Sequence, residues 1–290
     1  MNKVKVFVLG ASGMVGHLLA MRLREFSDAF EVVTAARNNT YGNPDISLDA
    51  TDFNDLSSAL DSIKPDVCIN AIGVLNRGAD DLDVSQKLNT QLPLFLSDMG
   101  RKQGFRLMHI STDCVFSGSR GGYIESDRPD ATDNYGLTKI GGERIDPKHL
   151  VIRTSVIGPE IRPQAIGLFN WFTNQTGEVS GYQNVIWSGV TTLALADAIM
   201  DAIKNKSSGL VHLVNNDNIS KLALITLIDQ HFPNRIRHVI PNPIPFSNKS
   251  LISTRKDSTF KVPSYEQMLA DLRRWMELHP EWYLEYLQRV

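Results

Sequence analysis

The sequence predicts an α/β fold: a doubly wound parallel sheet joined to a smaller, mostly C-terminal α/β part. Three observations predict it. Apolar strand-like runs alternate with amphipathic helical runs from residue 4 to residue 157, the pattern of a parallel sheet with right-handed crossovers. A glycine-spaced turn, Gly10-Ala-Ser-Gly13-Met-Val-Gly16, separates the first strand-like run from the first helical run. After Gly158-Pro159 the alternation gives way to aromatic and proline-bearing stretches.

Composition narrows the function classes. The chain has 290 residues, 42% hydrophobic and 21% charged, with a net charge of −2. That charge gives no broad positive field for nucleic acid and no polybasic anchor for a membrane. No apolar run approaches the roughly 20 residues that a membrane span requires. The first residues lead straight into a strand, without a signal-peptide pattern. Two cysteines, Cys68 and Cys114, make no disulfide framework, so the cytoplasm is the expected location. The seven histidines show no ligand spacing with each other or with cysteine, so no metal site is expected.

In order along the chain, residues 4–9 read as a buried strand and 17–25 as a helix. The glycines between them allow a tight turn. The helix N-terminus presents free N–H groups to a pyrophosphate, so Gly10, Ser12, Gly13, Met14, Val15 and Gly16 are expected to hold a dinucleotide in a Rossmann-like unit. The second strand, 31–36, ends in Ala35-Ala36-Arg37 and not in an acid. Arg37 can accommodate a 2′-phosphate, which favours NADPH over NADH. Asp49 is expected at the adenine end, and Asp52 to cap a helix over 53–63. The strand within 65–73 ends in Asn70-Ala71-Ile72-Gly73, which would lie beside the cofactor because ligands sit at strand carboxyl ends. A helix over about 83–103 carries Asn89, either exposed or near the site. The strand 105–110 delivers Ser111 and Thr112, and a helix begins near Tyr135. Residues 151–157 form a further strand. Helices follow at 193–203, about 220–232, about 264–278 and at the C-terminus, with a strand at 209–214. The prolines at 241, 243 and 245 mark a loop. The dinucleotide unit is expected to comprise 1–157 and about 188–214, and the substrate-binding part about 158–187 and 215–290.

Tyr135 and Lys139 stand four residues apart, on one helix face. Such a pair arises by chance about 0.3 times in a chain of this composition, so the glycine turn and the strand ending in hydroxyls carry the argument. A nearby ammonium lowers the pKa of a phenol, making Tyr135 a candidate proton donor. Thr112, or Ser111 in its place, would bond a substrate carbonyl oxygen as charge develops there.

Gly10/Gly13/Gly16, the Asn70–Gly73 strand end, Ser111-Thr112-Asp113-Cys114-Val115-Phe116 and Tyr135/Lys139 together resemble an extended short-chain dehydrogenase/reductase. The Ser-Thr-Asp-x-Val-Phe string with Tyr-Gly-x-x-Lys is similar to dTDP-4-dehydrorhamnose reductases in particular. The similarity runs more faintly to Asn248 and residues 264–275. The resemblance implies NADPH-dependent reduction of the 4-keto group of a dTDP- or UDP-linked 6-deoxysugar, for cell-surface polysaccharide precursors. It implies Thr112, Tyr135 and Lys139 as the catalytic set, Val115 and Phe116 near the substrate, and Lys139 on the nicotinamide ribose. The sequence departs from the family at Cys114, at Ile186–Thr192 and at Asn248–Leu251, where substrate is held. Trp187 is a candidate to stack on a base or sugar, or else core. Arg153 and Arg255 are candidate phosphate ligands, or else form ion pairs. The competing readings are an epimerase or dehydratase that retains NAD, and a cofactor-binding regulatory subunit without turnover. The aromatics at 169–172 and 282–286 are either a subunit contact, giving a homodimer, or core. The loop 117–134 is expected to close over the substrate.

Overall fold

The computed structural model describes residues 3–74, 82–162, 166–234, 236–257 and 260–288. Its first half runs β1 (Val4–Leu9), α1 (Met14–Glu25), β2 (Phe30–Ala36), β3 (Ile46–Ser47), α2 (Phe53–Ile63), β4 (Val67–Asn70), α3 (Leu82–Ser85), a π-helical turn (Gln86–Gln91), α4 (Leu92–Gln103), β5 (Arg106–Ile110), a 3-10 turn (Asp113–Val115), α5 (Asn134–Gly142) and β6 (Leu150–Arg153). The second half runs β7 (Val156–Ile157), α6 (Leu168–Thr173), β8 (Gly177–Tyr182), β9 (Val185–Trp187), β10 (Val190–Thr191), α7 (Thr192–Lys204), β11 (Gly209–His212), β12 (Ile219–Ser220), α8 (Lys221–His231), β13 (Arg237–Asn242), β14 (Ser247–Asn248), α9 (Tyr265–Leu278) and α10 (Pro280–Leu287).

Seven strands form one parallel sheet in the order β11-β6-β5-β4-β1-β2-β3. The chain therefore reverses its direction of travel between β1 and β4, the kind of switch point where ligands enter an open sheet. Alternate side chains go to opposite faces. Val6, Val8, Ile69, Met108 and Ile110 join the core under α1 and α7, whereas Phe7, Leu9, Cys68 and Leu107 join the core under α2 and α4. Burial on both faces explains why these strands read as near-continuous apolar runs. Helix boundaries follow their caps: Asp52 accepts from Asn54 N and Asp55 N, and Ser220 accepts from Ala223 N.

Four expectations change. The helix over 83–103 is interrupted by the π-helical turn that carries Asn89. The strand over 151–157 is broken between β6 and β7, and β7 leaves the main sheet to pair with β10. Pro241 lies in β13, not in a loop; β13 pairs with β8 alone, so a missing N–H on its free edge costs no ladder bond. Phe169, Phe172, Tyr283 and Tyr286 are core, while Trp171 is 43% exposed.

The C-terminal helix reaches back beneath the glycine turn. His17 of α1 is buried; its Nδ1 donates to Gly13 O at 2.8 Å and its Nε2 lies 3.0 Å from the Tyr283 hydroxyl. Burial drives the His17 pKa down to about 4, against a smaller opposing push from Gly13. The folded state therefore resists a proton that the unfolded chain accepts below about 6.5. Stability falls as pH drops through that window. The expected loss from this one residue between pH 7 and pH 4 is about 3 kcal/mol, and His17→Gln should lose correspondingly less. Urea unfolding at the two pH values measures the difference.

Candidate active site

The carboxyl edge of the sheet gathers the glycine-spaced turn, three strand ends and one helix. Gly10 holds φ at +86°, and a Cβ on Gly16 would stand 2.2 Å from Gly10 O, so the turn closes only with glycine at both places. The first turn of α1 has no side-chain cap and no acidic residue. Its N–H groups, at Met14, Val15 and Gly16, are thus left for an anion. Ser12 is buried, and its hydroxyl accepts from the Arg162 guanidinium, which crosses over the turn. Arg37 is exposed at the end of β2. Asp49 turns onto its own loop, accepting from Thr51 N at 2.9 Å and Thr51 Oγ1 at 2.8 Å; those bonds, more than the Arg37 charge, lower its pKa.

Asn70 is buried and shapes its strand end. Its Oδ1 accepts from Ile72 N at 3.1 Å and its Nδ2 lies 3.2 Å from His109 Nδ1. Ala71 and Ile72 are half-buried and Gly73 is exposed. A Cβ on Gly73 would lie 3.9 Å from Asn89 Oδ1 and 4.0 Å from Lys139 Nζ, so the strand end opens beside the lysine.

Asn89 belongs to this site and is fully buried. Its Oδ1 accepts from Val74 N, and its Nδ2 donates to Val74 O and to Thr138 Oγ1. Thr90 Oγ1 donates to Thr138 O at 2.7 Å. A Cβ on Gly142 would stand 2.1 Å from Asn89 O. The π-helical turn and α5 can cross this closely only because α5 ends in glycines. Asp133 starts α5 by accepting from Gly136 N at 2.8 Å.

That crossing fixes Lys139, which is buried and donates to Ile110 O at 2.9 Å. Burial lowers its pKa to about 8, with Glu143 opposing. Thr112 ends β5 as the cap of the 3-10 turn, accepting from Cys114 N at 3.1 Å and donating to Asp113 Oδ1 at 3.1 Å. Its hydroxyl also acts on the Tyr135 phenol, in the direction that lowers the phenol's pKa. Sequence reasoning expects the lysine to pull the tyrosine pKa down. Instead burial raises it above the ordinary range, the nearby Cys114 adds to the rise, and the Thr112 bond only partly opposes it. Tyr135 is thereby held as a protonated phenol.

Several expected substrate contacts are used elsewhere. Ser111 donates to Glu143 Oε1 at 2.5 Å. Arg153 is buried in a two-pronged pair with Glu143, at 2.8 and 2.7 Å, and lies over the Phe116 ring. It is therefore not a free phosphate ligand. Arg255 binds Asp257 and donates to the Ser208 and Leu210 carbonyls. Val115 and Phe116 are fully buried, Phe116 stacking on Tyr123 at 4.1 Å. Trp187 is core, against Tyr265. The loop 117–134 is tied down rather than poised: Tyr123 N donates to Ser250 O, Ile252 N to Tyr123 O and Asn248 N to Gly118 O. Sequence reasoning missed Glu143, whose signal was available one turn beyond Lys139. It also missed Arg162, which reaches Ser12 in the glycine turn through a chain crossing that no local pattern marks. Among the described residues no cluster of acids, His and Cys could hold a metal ion.

Residues 4–281 match the family described as the RmlD substrate binding domain. The chain belongs to that family. A dTDP-4-dehydrorhamnose reductase of Aggregatibacter actinomycetemcomitans is 31% identical over 158 residues, 52% of this chain and 51% of that one. The chain thus spans about half the length of that relative. A probable low-salt glycan biosynthesis reductase of Haloferax volcanii is 28% identical over 66% of this chain and 70% of its own. The solved dTDP-4-dehydrorhamnose reductase of Bacillus anthracis, in complex with NADP, superimposes with a TM-score of 0.81 at 20% identity, covering 95% of this chain and 99% of that one. The fold expected from the sequence and the resemblance to this family are both borne out.

Glu143 is the hub on which this edge is built. Glu143→Gln leaves the Arg153 guanidinium buried without its counter-charge, which costs about 3–5 kcal/mol. Denaturant unfolding should show a loss of that size, and an unchanged midpoint would contradict the assignment of Glu143 as hub.

Proposed function

We propose that the chain is a sugar-nucleotide reductase that uses NADPH, with NADH as a weaker alternative, on the 4-keto group of a dTDP- or UDP-linked 6-deoxysugar. The carrying observation is that Thr112 acts on the Tyr135 phenol while Lys139, one helical turn further along α5, is held at the Ile110 carbonyl at the end of β5. The uncapped α1 N-terminus, the glycine turn and the opening at Gly73 fit a dinucleotide, and the names of the relatives agree in reaction class. Arg37, exposed and placed after β2, supports the 2′-phosphate.

When bound, the nicotinamide supplies a hydride to the carbonyl carbon. Thr112 holds the carbonyl oxygen in line with the Tyr135 phenol. Tyr135 gives its proton to that oxygen as the carbonyl π bond breaks, so a secondary alcohol and a phenolate result. Lys139 stabilises the phenolate and binds the cofactor ribose. Asn89 and Thr90 hold α5 in place for both. A phenol kept protonated by burial suits a donor in the reductive direction. In this reading residues 1–157 and about 188–214 hold the cofactor, and the remainder closes the substrate side. The reading places the reaction in the cytoplasm, in synthesis of cell-surface polysaccharide precursors; among the described residues no helix is long and apolar enough to cross a membrane.

Tyr135→Phe should reduce turnover of a 4-keto nucleotide sugar by about 10²–10⁴-fold while NADPH still binds. Undiminished turnover would sink the reading. The Lys139 ammonium is present at neutral pH and lost as pH rises through about 8. Turnover with saturating substrates should fall across that range, and a flat profile from pH 7 to pH 9 would contradict the role given to Lys139.

A further inference from the structure

The C-terminal helix α10 anchors the glycine turn from two sides. Its two tyrosines, Tyr283 and Tyr286, share one face of the helix and are both buried. The stretch matched by the family ends at residue 281, ahead of both. The first arm runs beneath the turn. The Tyr283 hydroxyl lies 3.0 Å from His17 Nε2, and His17 Nδ1 donates to Gly13 O at 2.8 Å. With the proton on Nδ1, Nε2 is an acceptor, so the tyrosine donates to it. Gly13 is the N-cap of α1, the residue behind which the free N–H groups are presented.

The second arm passes over the turn. The Tyr286 hydroxyl accepts from Glu160 N at 3.0 Å and lies 2.9 Å from Glu160 O and 2.9 Å from Asn170 Oδ1. One side chain of α10 thus holds both backbone groups of Glu160. The Glu160 carboxylate accepts from Gly167 N at 2.7 Å, and a Cβ on Gly167 would stand 3.4 Å from Met14 Sδ in the first turn of α1. Two residues after Glu160, the Arg162 guanidinium donates to Ser12 Oγ. A Cβ on Gly42 would lie 2.8 Å from Ala11 O and 3.4 Å from Ile161 Cδ1, so the loop after β2 meets the same cover. Ser12, Gly13 and Met14 are therefore held from above and from below, and each hold leads back to a tyrosine hydroxyl of α10.

We propose that Tyr283 and Tyr286 are positioning residues for the cofactor: α10 holds the glycine turn in the conformation that receives the dinucleotide. This rests on the reading of that turn as a dinucleotide site. Glycine loses more conformational freedom on ordering than any other residue. A turn built on Gly10, Gly13 and Gly16 and ordered before the ligand arrives keeps that loss out of the binding step. Each tyrosine acts through another group, Tyr283 through the His17 ring and Tyr286 through the Glu160 backbone. The coupling is reciprocal: if docking of α10 strengthens the hold on the cofactor, the cofactor strengthens the docking of α10 by the same factor.

The test is fluorescence titration of the full chain with NADPH, joined to hydrogen exchange of α10 with and without NADPH. Wild type, Tyr283→Phe, Tyr286→Phe, the double variant and Leu284→Ala, on the exposed face of α10, are compared. Each Phe variant should weaken NADPH binding by roughly threefold to tenfold. The double variant should show about the product, because the two arms share no residue, and Leu284→Ala should match wild type. In turnover of a 4-keto nucleotide sugar the effect should fall on the KM for NADPH and not on kcat. In wild type, NADPH should slow exchange throughout α10, a readout that stands even where the double variant does not fold. NADPH affinity unchanged in both Phe variants, or exchange in α10 indifferent to NADPH, would overturn the proposal and leave the reductase reading standing. A fall in kcat at unchanged KM would overturn it too, since that marks only a loss of folded protein. A wild-type protein that binds no NADPH would overturn both.

Discussion

The close crossing of α5 over the π-helical turn is the constraint on which the rest of the site depends. Gly142 lies against Asn89 O, and Asn89 and Thr90 together bond Val74 and Thr138. With the crossing set, Lys139 reaches the Ile110 carbonyl and Tyr135 reaches Thr112. A larger residue at position 142 would lift α5 from the sheet edge, and both functional groups would move with it. Asn89 lies fully buried within the π-helical turn, and such turns are frequent at functional sites.

The electrostatics of the edge divide into two layers. The inner layer is neutralised: Glu143 with Arg153 and Ser111, and His109 neutral, its pKa held down by burial and by Lys139. The outer layer holds Lys221 and Lys249, which act on the buried Asp113 carboxyl, and the exposed Arg37. The C-terminal helix contributes from a distance, since Tyr283 and His17 set the glycine turn from below.

Much of the fold was legible in the sequence because it depends on local pattern. Two-sided burial writes strands as apolar runs, and Asp52 and Ser220 cap helices where short polar side chains precede apolar periodicity. Gly10 and Gly16 are legible because the close turn leaves no room for a Cβ at either. The placement of Thr112, Tyr135 and Lys139 follows from strand and helix ends alone. Pairings made by chain crossing were not legible. Arg153 looks like any arginine until β6 sets it opposite Glu143. Trp187 reads equally as a stacking platform or as core until α9 covers it with Tyr265. The tyrosine pKa departs from the expectation because burial, which has no sequence signature, raises it.

The central claim is that the Thr112–Tyr135–Lys139 edge reduces a sugar carbonyl with hydride from the nicotinamide. Incubation with NADPH carrying deuterium at the transferable position, and a dTDP- or UDP-linked 4-keto-6-deoxysugar, tests it most directly by mass spectrometry of the product. The account predicts a single deuterium on the former carbonyl carbon and equal amounts of NADP and reduced sugar. Product without label, or sugar converted with no NADPH consumed, would contradict it.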